Sequence, residues 1–215
     1  QERITGMEYR KLPRGEEQIS ILGLGNSSLG ASGEKETQAA VEMALEAGVN
    51  YFDMAASDSS PFEAFGRAAA GCGAYGWTLD PEKVRRSVDW QMRALKTDYI
   101  DFGFIHCIDE EADLEKVMDR GTVDDLLNLK KQGVVRHIGL SSHTPAVAEK
   151  FLDTGIVDML MFSVNPAYDY RHGEYAIGSV DERMALYRRC GKEGVGISVM
   201  KAFGGGQLLN PKTSP

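Results

Sequence analysis

Tyr99-Ile100-Asp101-Phe102-Gly103-Phe104-Ile105-His106-Cys107 is the stretch on which the fold turns. From Phe102 to Ile105 it is continuously apolar, with no polar alternation. That pattern suits a strand buried on both faces, as in a parallel sheet covered by helices. Downstream, Asp113–Lys131 reads as a helix stopped by Gly133, His137–Ser142 as a strand and Pro145–Leu152 as a helix. Met159–Val164 then reads as a strand, Asp181–Lys192 as a helix stopped by Gly194, and Gly196–Ala202 as a strand. Upstream, Pro81–Leu95 is helical, with Asp80 placed to cap it, and Pro61–Ala70 has a proline suited to a first turn. Before these come a strand at Asn50–Ala55, a helix at Glu34–Ala47 with Gly48 just past its end, and a strand at Ile19–Gly25. Strict alternation of strand and helix predicts an α/β protein built from βαβ units with a parallel sheet. A (β/α)8 barrel and an open doubly wound sheet both fit. Against the open nucleotide-binding sheet, Gly23-Leu24-Gly25 continues into Asn26-Ser27-Ser28 with no third glycine in register.

The chain has 215 residues, with 24 Lys and Arg against 32 Asp and Glu, a formal charge of −8. This length suits one domain, 1–215, with a full hydrophobic core. The acidic balance argues against a nucleic-acid partner, which needs clustered cations to displace counterions. No apolar run is long enough to span a bilayer, so no membrane partner is expected. Gln1–Gly6 lacks a signal-peptide core, and the 3 cysteines, Cys72, Cys107 and Cys190, show no CxxC or Cys/His metal spacing. A cytoplasmic protein without a disulfide framework or structural zinc is the expectation.

In a parallel barrel the reactive groups sit at the C-terminal ends of the strands. Here those ends are Gly25-Asn26-Ser27, Asp53-Met54-Ala55, His106-Cys107, Ser141-Ser142-His143, Ser163-Val164-Asn165 and Met200 through Gly206. Polar groups and glycines gather there, while the opposite ends, at Asn50, Tyr99, His137 and Gly196, are blander.

Five stretches in this order resemble the aldo-keto reductase family of NADP(H)-dependent (β/α)8 oxidoreductases. They are Gly23–Gly25; Gly48-Val49-Asn50-Tyr51-Phe52-Asp53-Met54-Ala55; Thr97–Asp101 with Phe104-Ile105-His106; Gly133–Ser141; and Val199–Gly206. The resemblance runs from Met7-Glu8-Tyr9-Arg10 to Gly206-Gln207-Leu208. Asn165-Pro166-Ala167-Tyr168-Asp169 is similar to a bacterial branch whose members often add a C-terminal iron–sulfur segment; no such cysteine cluster occurs here.

The resemblance implies a TIM (β/α)8-type barrel and hydride transfer between NADP(H) and a small carbonyl or alcohol. It places Asp53 and His106 at catalytic positions and puts Asp58 where the family has its proton-donating tyrosine. A carboxylate with a reference pKa of about 3.9 is ionised at neutral pH and cannot copy that tyrosine. A carboxylate near His106, from Asp53 or Asp58, would instead keep the imidazole protonated, making His106 itself the acid. The family's lysine belongs at the end of a third strand, but Gly71-Cys72-Gly73-Ala74-Tyr75-Gly76-Trp77-Thr78 holds none and leaves little room for a strand. The barrel is therefore expected to be incomplete, lacking its third strand and, with the sequence ending at Pro215, its eighth. The second and fourth strands would then either pair directly or leave two edges open, and open edges invite aggregation or pairing with another chain.

For the cofactor the resemblance points to Gly25, Asn26, Ser141, Ser142, Ser163, Met200, Lys201, Ala202, Phe203, Gly204 and Gly206. Some of these have a plainer explanation. Ser141 and Ser142 could cap a helix together with Thr144, Met200 could fill core, and Gly204-Gly205-Gly206 could be a flexible turn rather than a backbone cradle for a pyrophosphate. Cys107 reads as a small buried residue rather than a nucleophile, and His137 and His172 receive no role. A non-catalytic relative that binds a nucleotide or a partner, or an incomplete fragment, remains the alternative.

Overall fold

The structure is a computed structural model that describes residues 6–26, 29, 33–54, 63, 73–76, 81–166 and 177–212. The chain divides into two compact units, one of residues 1–104 and 117–137, the other of residues 105–116 and 138–215.

In the first unit, β1 (Tyr9–Lys11) pairs antiparallel with β2 (Gln18–Ser20). The single strand expected over Ile19–Gly25 is thus split, and β3 (Gly23–Gly25) starts a parallel run with β4 (Tyr51–Met54), β5 (Gly73–Gly76) and β6 (Ile100–Ile105). The expectation that the third strand is missing is overturned. β5 pairs parallel with β4 through Asp53 opposite Gly73 and Met54 opposite Ala74, and it lies between β4 and β6, so the two open edges do not arise. It escaped the sequence pattern because it is short and bounded by glycines, which carry no strand propensity.

Helices α1 (Glu34–Glu46) and α2 (Pro81–Leu95) belong to this unit. Val41 of α1, Phe52 and Met54 of β4 and Leu95 of α2 form one buried cluster; Val84, Val88, Ile100 and Val135 form another. The helix expected at Pro61–Ala70 lies outside the described residues except for Glu63. The predicted helix Asp113–Lys131 is two helices, α3 (Glu111–Asp119) and α4 (Thr122–Lys131), parted at Gly121, whose φ of 76° a side chain would resist.

The glycine inside the deciding stretch has a packing reason. A β-carbon on Gly103 would fall 2.9 Å from Cγ1 of Val135 and 3.2 Å from its Cγ2. Gly103→Ala is therefore expected to cost about 1–3 kcal/mol by overpacking, read as a lower urea midpoint, although alanine is otherwise the better strand residue.

In the second unit, the C-terminal part of β7 (Val135–Ser141) pairs parallel with β8 (Met159–Ser163), and β8 with β9 (Gly196–Met200). Asp158 ties their starts together. Its carboxylate accepts from the Ile138 amide at 2.9 Å, its own amide donates to the Ile138 carbonyl at 2.8 Å, and its carbonyl accepts from the Gly196 amide at 2.9 Å. Helices α5 (Pro145–Leu152) and α6 (Val180–Glu193) carry the buried Phe151, Leu152, Leu186 and Cys190. Ser179 and Glu182 close a capping box at the start of α6, and Gly194 ends it in the left-handed conformation, as its position after a helical pattern predicts. From β9 the chain enters a short 3-10 turn, Gly204–Leu209. No helix among the described residues is long and apolar enough to cross a membrane.

Candidate active site

In the first unit, the parallel register sets Gly25 opposite Asp53, and the amide of the buried Asn26 donates to the Asp53 carbonyl at 3.0 Å. Gly25, Asn26 and Asp53 are thus brought together at the C-terminal ends of β3 and β4. Asp58 lies outside the described residues.

The second unit holds the other sequence candidates. His106 follows β6 directly and is half-buried, as is Cys107 after it. Ser141 ends β7 and Ser163 ends β8; both are buried, and neither hydroxyl has a hydrogen-bond partner among the described residues. Met200, half-buried, stands opposite Ser163 in register on β9. Ser142 is fully buried, and its hydroxyl is engaged at 3.3 Å with both Oδ1 of Asp109 and the Thr144 carbonyl, while accepting from the Thr144 amide at 3.1 Å. The helix cap foreseen as its plainer explanation is not made, since Thr144 caps α5 without a side-chain hydrogen bond; Ser142 bonds locally instead. Ala202 and Phe203 are exposed. Gly204, Gly205 and Gly206 all have positive φ, yet the amides of Gly204 and Gly206 already donate to the Lys201 and Phe203 carbonyls.

Beside these lies a cluster of which the sequence reading had given a role only to Lys201. The Asp109 carboxylate accepts from the His143 amide at 2.6 Å and from its Nδ1 at 2.9 Å. On the other side of the ring, Nε2 lies 3.0 Å from Nζ of Lys201. Cys107 completes the group: its Sγ, a ring nitrogen of His143 and a carboxylate oxygen of Asp109 lie within 4.8 Å of one another. Cys107, expected to be a buried filler, is instead a half-buried thiol between two histidines. The spacing hid this cluster, because Asp109 and His143 are 34 positions apart and meet only in the folded chain. The available signal was that Cys107, Asp109 and His143 all closely follow apolar strands.

Backbone strain gathers in the same place. Among the described residues, positive φ outside glycine occurs at Lys96, Cys107 and Lys201, at 55°, 53° and 54°. Lys96 follows the end of α2, an ordinary left-handed helix stop. Cys107 and Lys201 lie just past the ends of β6 and β9, where such a conformation costs on the order of 1–3 kcal/mol and persists only when the surroundings impose it. For Lys201 one constraint is visible: the side-chain amide of the buried Asn165 donates to its carbonyl at 2.8 Å.

The electrostatics follow from the contacts. Hydrogen bonds from His106 first, and from His143, pull the Cys107 thiol down to about 6 against its burial. Asp109, then Cys107, push His143 up to about 9, outweighing burial and the opposing charge of Lys201. Burial works to raise the Asp109 carboxyl, but its bonds from His143 and Ser142 prevail and leave it lowered.

A histidine whose folded pKa is raised stabilises the fold fully below its unfolded value of about 6.5, and that stability is lost as pH rises through about 9. His143→Ala should therefore cost more near pH 6 than near pH 10, by roughly 2–3 kcal/mol after allowance for partial exposure. Urea unfolding at the two pH values measures this; equal losses would contradict it.

Comparisons with known proteins identify the family. The profile of the aldo/keto reductase family matches residues 21–215. An uncharacterized oxidoreductase, YqkF, of Bacillus subtilis (strain 168) is 30% identical over 176 residues, 72% of this chain and 56% of that protein. L-galactose dehydrogenase of Arabidopsis thaliana is 28% identical over 188 residues, 74% of this chain and again 56% of the relative. The chain thus spans 56% of the length of these two curated relatives. Among solved structures, the holo form of aldo-keto reductase AKR11C1 from Bacillus halodurans superposes with a TM-score of 0.73 at 22% identity, covering 95% of this chain and 67% of that one. The likeness shows a fold of the (β/α)8-barrel type. With parallel strands in each unit and a profile match over nearly its whole length, the chain belongs to the aldo-keto reductase family.

Proposed function

We propose that the chain is an NADP(H)-dependent oxidoreductase acting on a small carbonyl compound or the corresponding alcohol. The observation that carries this reading is the pair of buried hydroxyls of Ser141 and Ser163, partnerless among the described residues, at the ends of neighbouring strands. A buried polar atom without a partner is costly, so two at the ends of adjacent strands suit an amide group supplied from outside the chain. In this reading they hold the nicotinamide carboxamide, Met200 packs on the ring, and Lys201 directs positive charge toward the phosphates. The open backbone at Gly205 and Gly206, where a β-carbon would meet nothing within 4 Å, leaves room for a close approach.

When bound there, the reduced cofactor would supply the hydride for the carbonyl carbon. His106 orients the carbonyl oxygen and passes it the proton that the family's tyrosine would give. Asp53, fixed in its own unit by register with Gly25, keeps the carboxylate that the resemblance gives that position; Asn26 and Asp58 stay candidates on the same ground.

The test is NADPH oxidation by the whole chain in the presence of small aldehydes. Oxidation that depends on the aldehyde supports the reading, and none with any aldehyde tried contradicts it. A second reading, a relative that binds the nucleotide without turnover, is favoured by Asp58 in the tyrosine position and by the lack of lysine from Gly71 to Thr78. Quenching of tryptophan fluorescence by NADPH without aldehyde-dependent oxidation would select it.

A further inference from the structure

Of the cluster of Cys107, Asp109, His143 and Lys201, the hydride-transfer reading uses only Lys201. We propose that Cys107 is a thiolate nucleophile, served by His143 and Asp109, that adds to the β-carbon of α,β-unsaturated carbonyl compounds.

The geometry separates the roles. Asp109 holds His143 by two bonds, one to its backbone amide and one to Nδ1, which fixes the position and orientation of the ring. Such an orienting carboxylate behind a histidine beside a nucleophile is the general arrangement for activating a weak one. Cys107 is half-buried, accessible enough to meet a small molecule, and is held in a left-handed backbone conformation immediately after a strand. Cys190 is the contrast: it is fully buried, and desolvation lifts its thiol to about 11, so it is inert.

The same three side chains could in principle ligate a metal. Both ring nitrogens of His143 are already taken, however, Nδ1 by Asp109 and Nε2 by Nζ of Lys201, and an ammonium at 3.0 Å opposes a cation there. It suits instead an oxygen on which negative charge develops. The groups that face the thiol or its histidine are His106, Asp109, His143 and Lys201; three are cations when protonated and one is an anion.

In the step itself, a lone pair of Cys107 Sγ forms the S–C bond at the β-carbon. The C=C π bond breaks, and its electrons move to the carbonyl oxygen as an enolate facing Lys201. Water then protonates the α-carbon, restoring the carbonyl and leaving hydroxide, while the His143 ring stays held between Asp109 and Lys201. The product is a saturated thioether; nothing is oxidised or reduced beyond this addition.

The test uses the whole wild-type chain, iodoacetamide to titrate the thiol and crotonaldehyde as the electrophile, with adducts assigned to cysteine-containing peptides by mass spectrometry. At pH 6 about half of Cys107 is ionised, against about 0.3% of an ordinary thiol. The weaker intrinsic nucleophilicity of a low-pKa thiolate takes back about an order of magnitude, which leaves roughly a tenfold advantage over a free cysteine peptide. The expected result is alkylation of Cys107 half-maximal near pH 6, with one crotonaldehyde on its peptide and none on that of Cys190. Asp109→Asn should move the alkylation midpoint upward, and Lys201→Met should slow crotonaldehyde more than iodoacetamide. A Cys107 profile rising to an ordinary midpoint near about pH 8.5, or crotonaldehyde addition no faster than to the free peptide, would overturn the proposal. No nicotinamide cofactor enters this experiment, so its outcome is independent of the hydride-transfer reading.

Discussion

His106→Ala is expected to lower kcat/KM for NADPH-dependent aldehyde reduction by about 100-fold or more, the usual contribution of a positioned general acid. The argument rests on what replaces the family's tyrosine. At position 58 stands an aspartate, a poor proton donor at neutral pH, and no lysine occurs from Gly71 to Thr78. A proton must still reach the oxygen as the hydride arrives, and His106, half-buried at the end of β6, is the donor assigned to it. If so, the loss falls mainly on kcat, because the proton moves only in the transition state. His106→Gln, which keeps a hydrogen-bond donor but cannot pass a proton, should recover substrate affinity and little rate. Full activity in both variants would place the acid elsewhere.

Arg183→Ala is expected to destabilise the protein by about 3–5 kcal/mol, through a cavity and lost hydrogen bonds to buried acceptors. For a chain of this size that is a drop of roughly 10 °C or more in Tm. Arg183 is the largest fully buried side chain among the described residues. Its guanidinium donates to the Ser163 carbonyl and to the Tyr187 hydroxyl at 3.1 Å, and it lies 4.8 Å over the Phe162 ring. The Tyr187 hydroxyl donates to the same Ser163 carbonyl at 3.2 Å. Arg183 thus pins the end of β8, the strand end that carries the Ser163 hydroxyl. Arg183→Lys should recover only part of the stability, since one ammonium cannot copy the planar fork. Thermal unfolding of the three proteins tests this. A shift in Arg183→Ala no larger than that of a surface substitution would show that the buried guanidinium is not needed.

The legibility of the fold in the sequence follows strand character. Phe102–Ile105, Met159–Phe162 and the helices ended by Gly133 and Gly194 could be read because burial on both faces and glycine stops leave one-dimensional patterns. Gly73–Gly76 left none, since two of its four residues lack a side chain and its place is set by pairing with β4. The split of the long predicted helix at Gly121 depends on one left-handed glycine inside an otherwise helical pattern. For the site, strand ends located His106, Ser141 and Ser163, because parallel topology sends those positions to one side. The partnership of Asp109, His143, Cys107 and Lys201 is a product of tertiary structure. Its members lie on three separate connections, after β6, β7 and β9, and no local spacing announces it.

Calorimetric titration of the whole chain with NADPH, beside Ser141→Ala and Ser163→Ala, tests the central claim most directly. The account predicts saturable binding in the wild type and affinity roughly 5- to 10-fold lower in each variant, the worth of one hydrogen bond to a buried hydroxyl. An absence of NADPH binding, or variants that bind as tightly as the wild type, would contradict it.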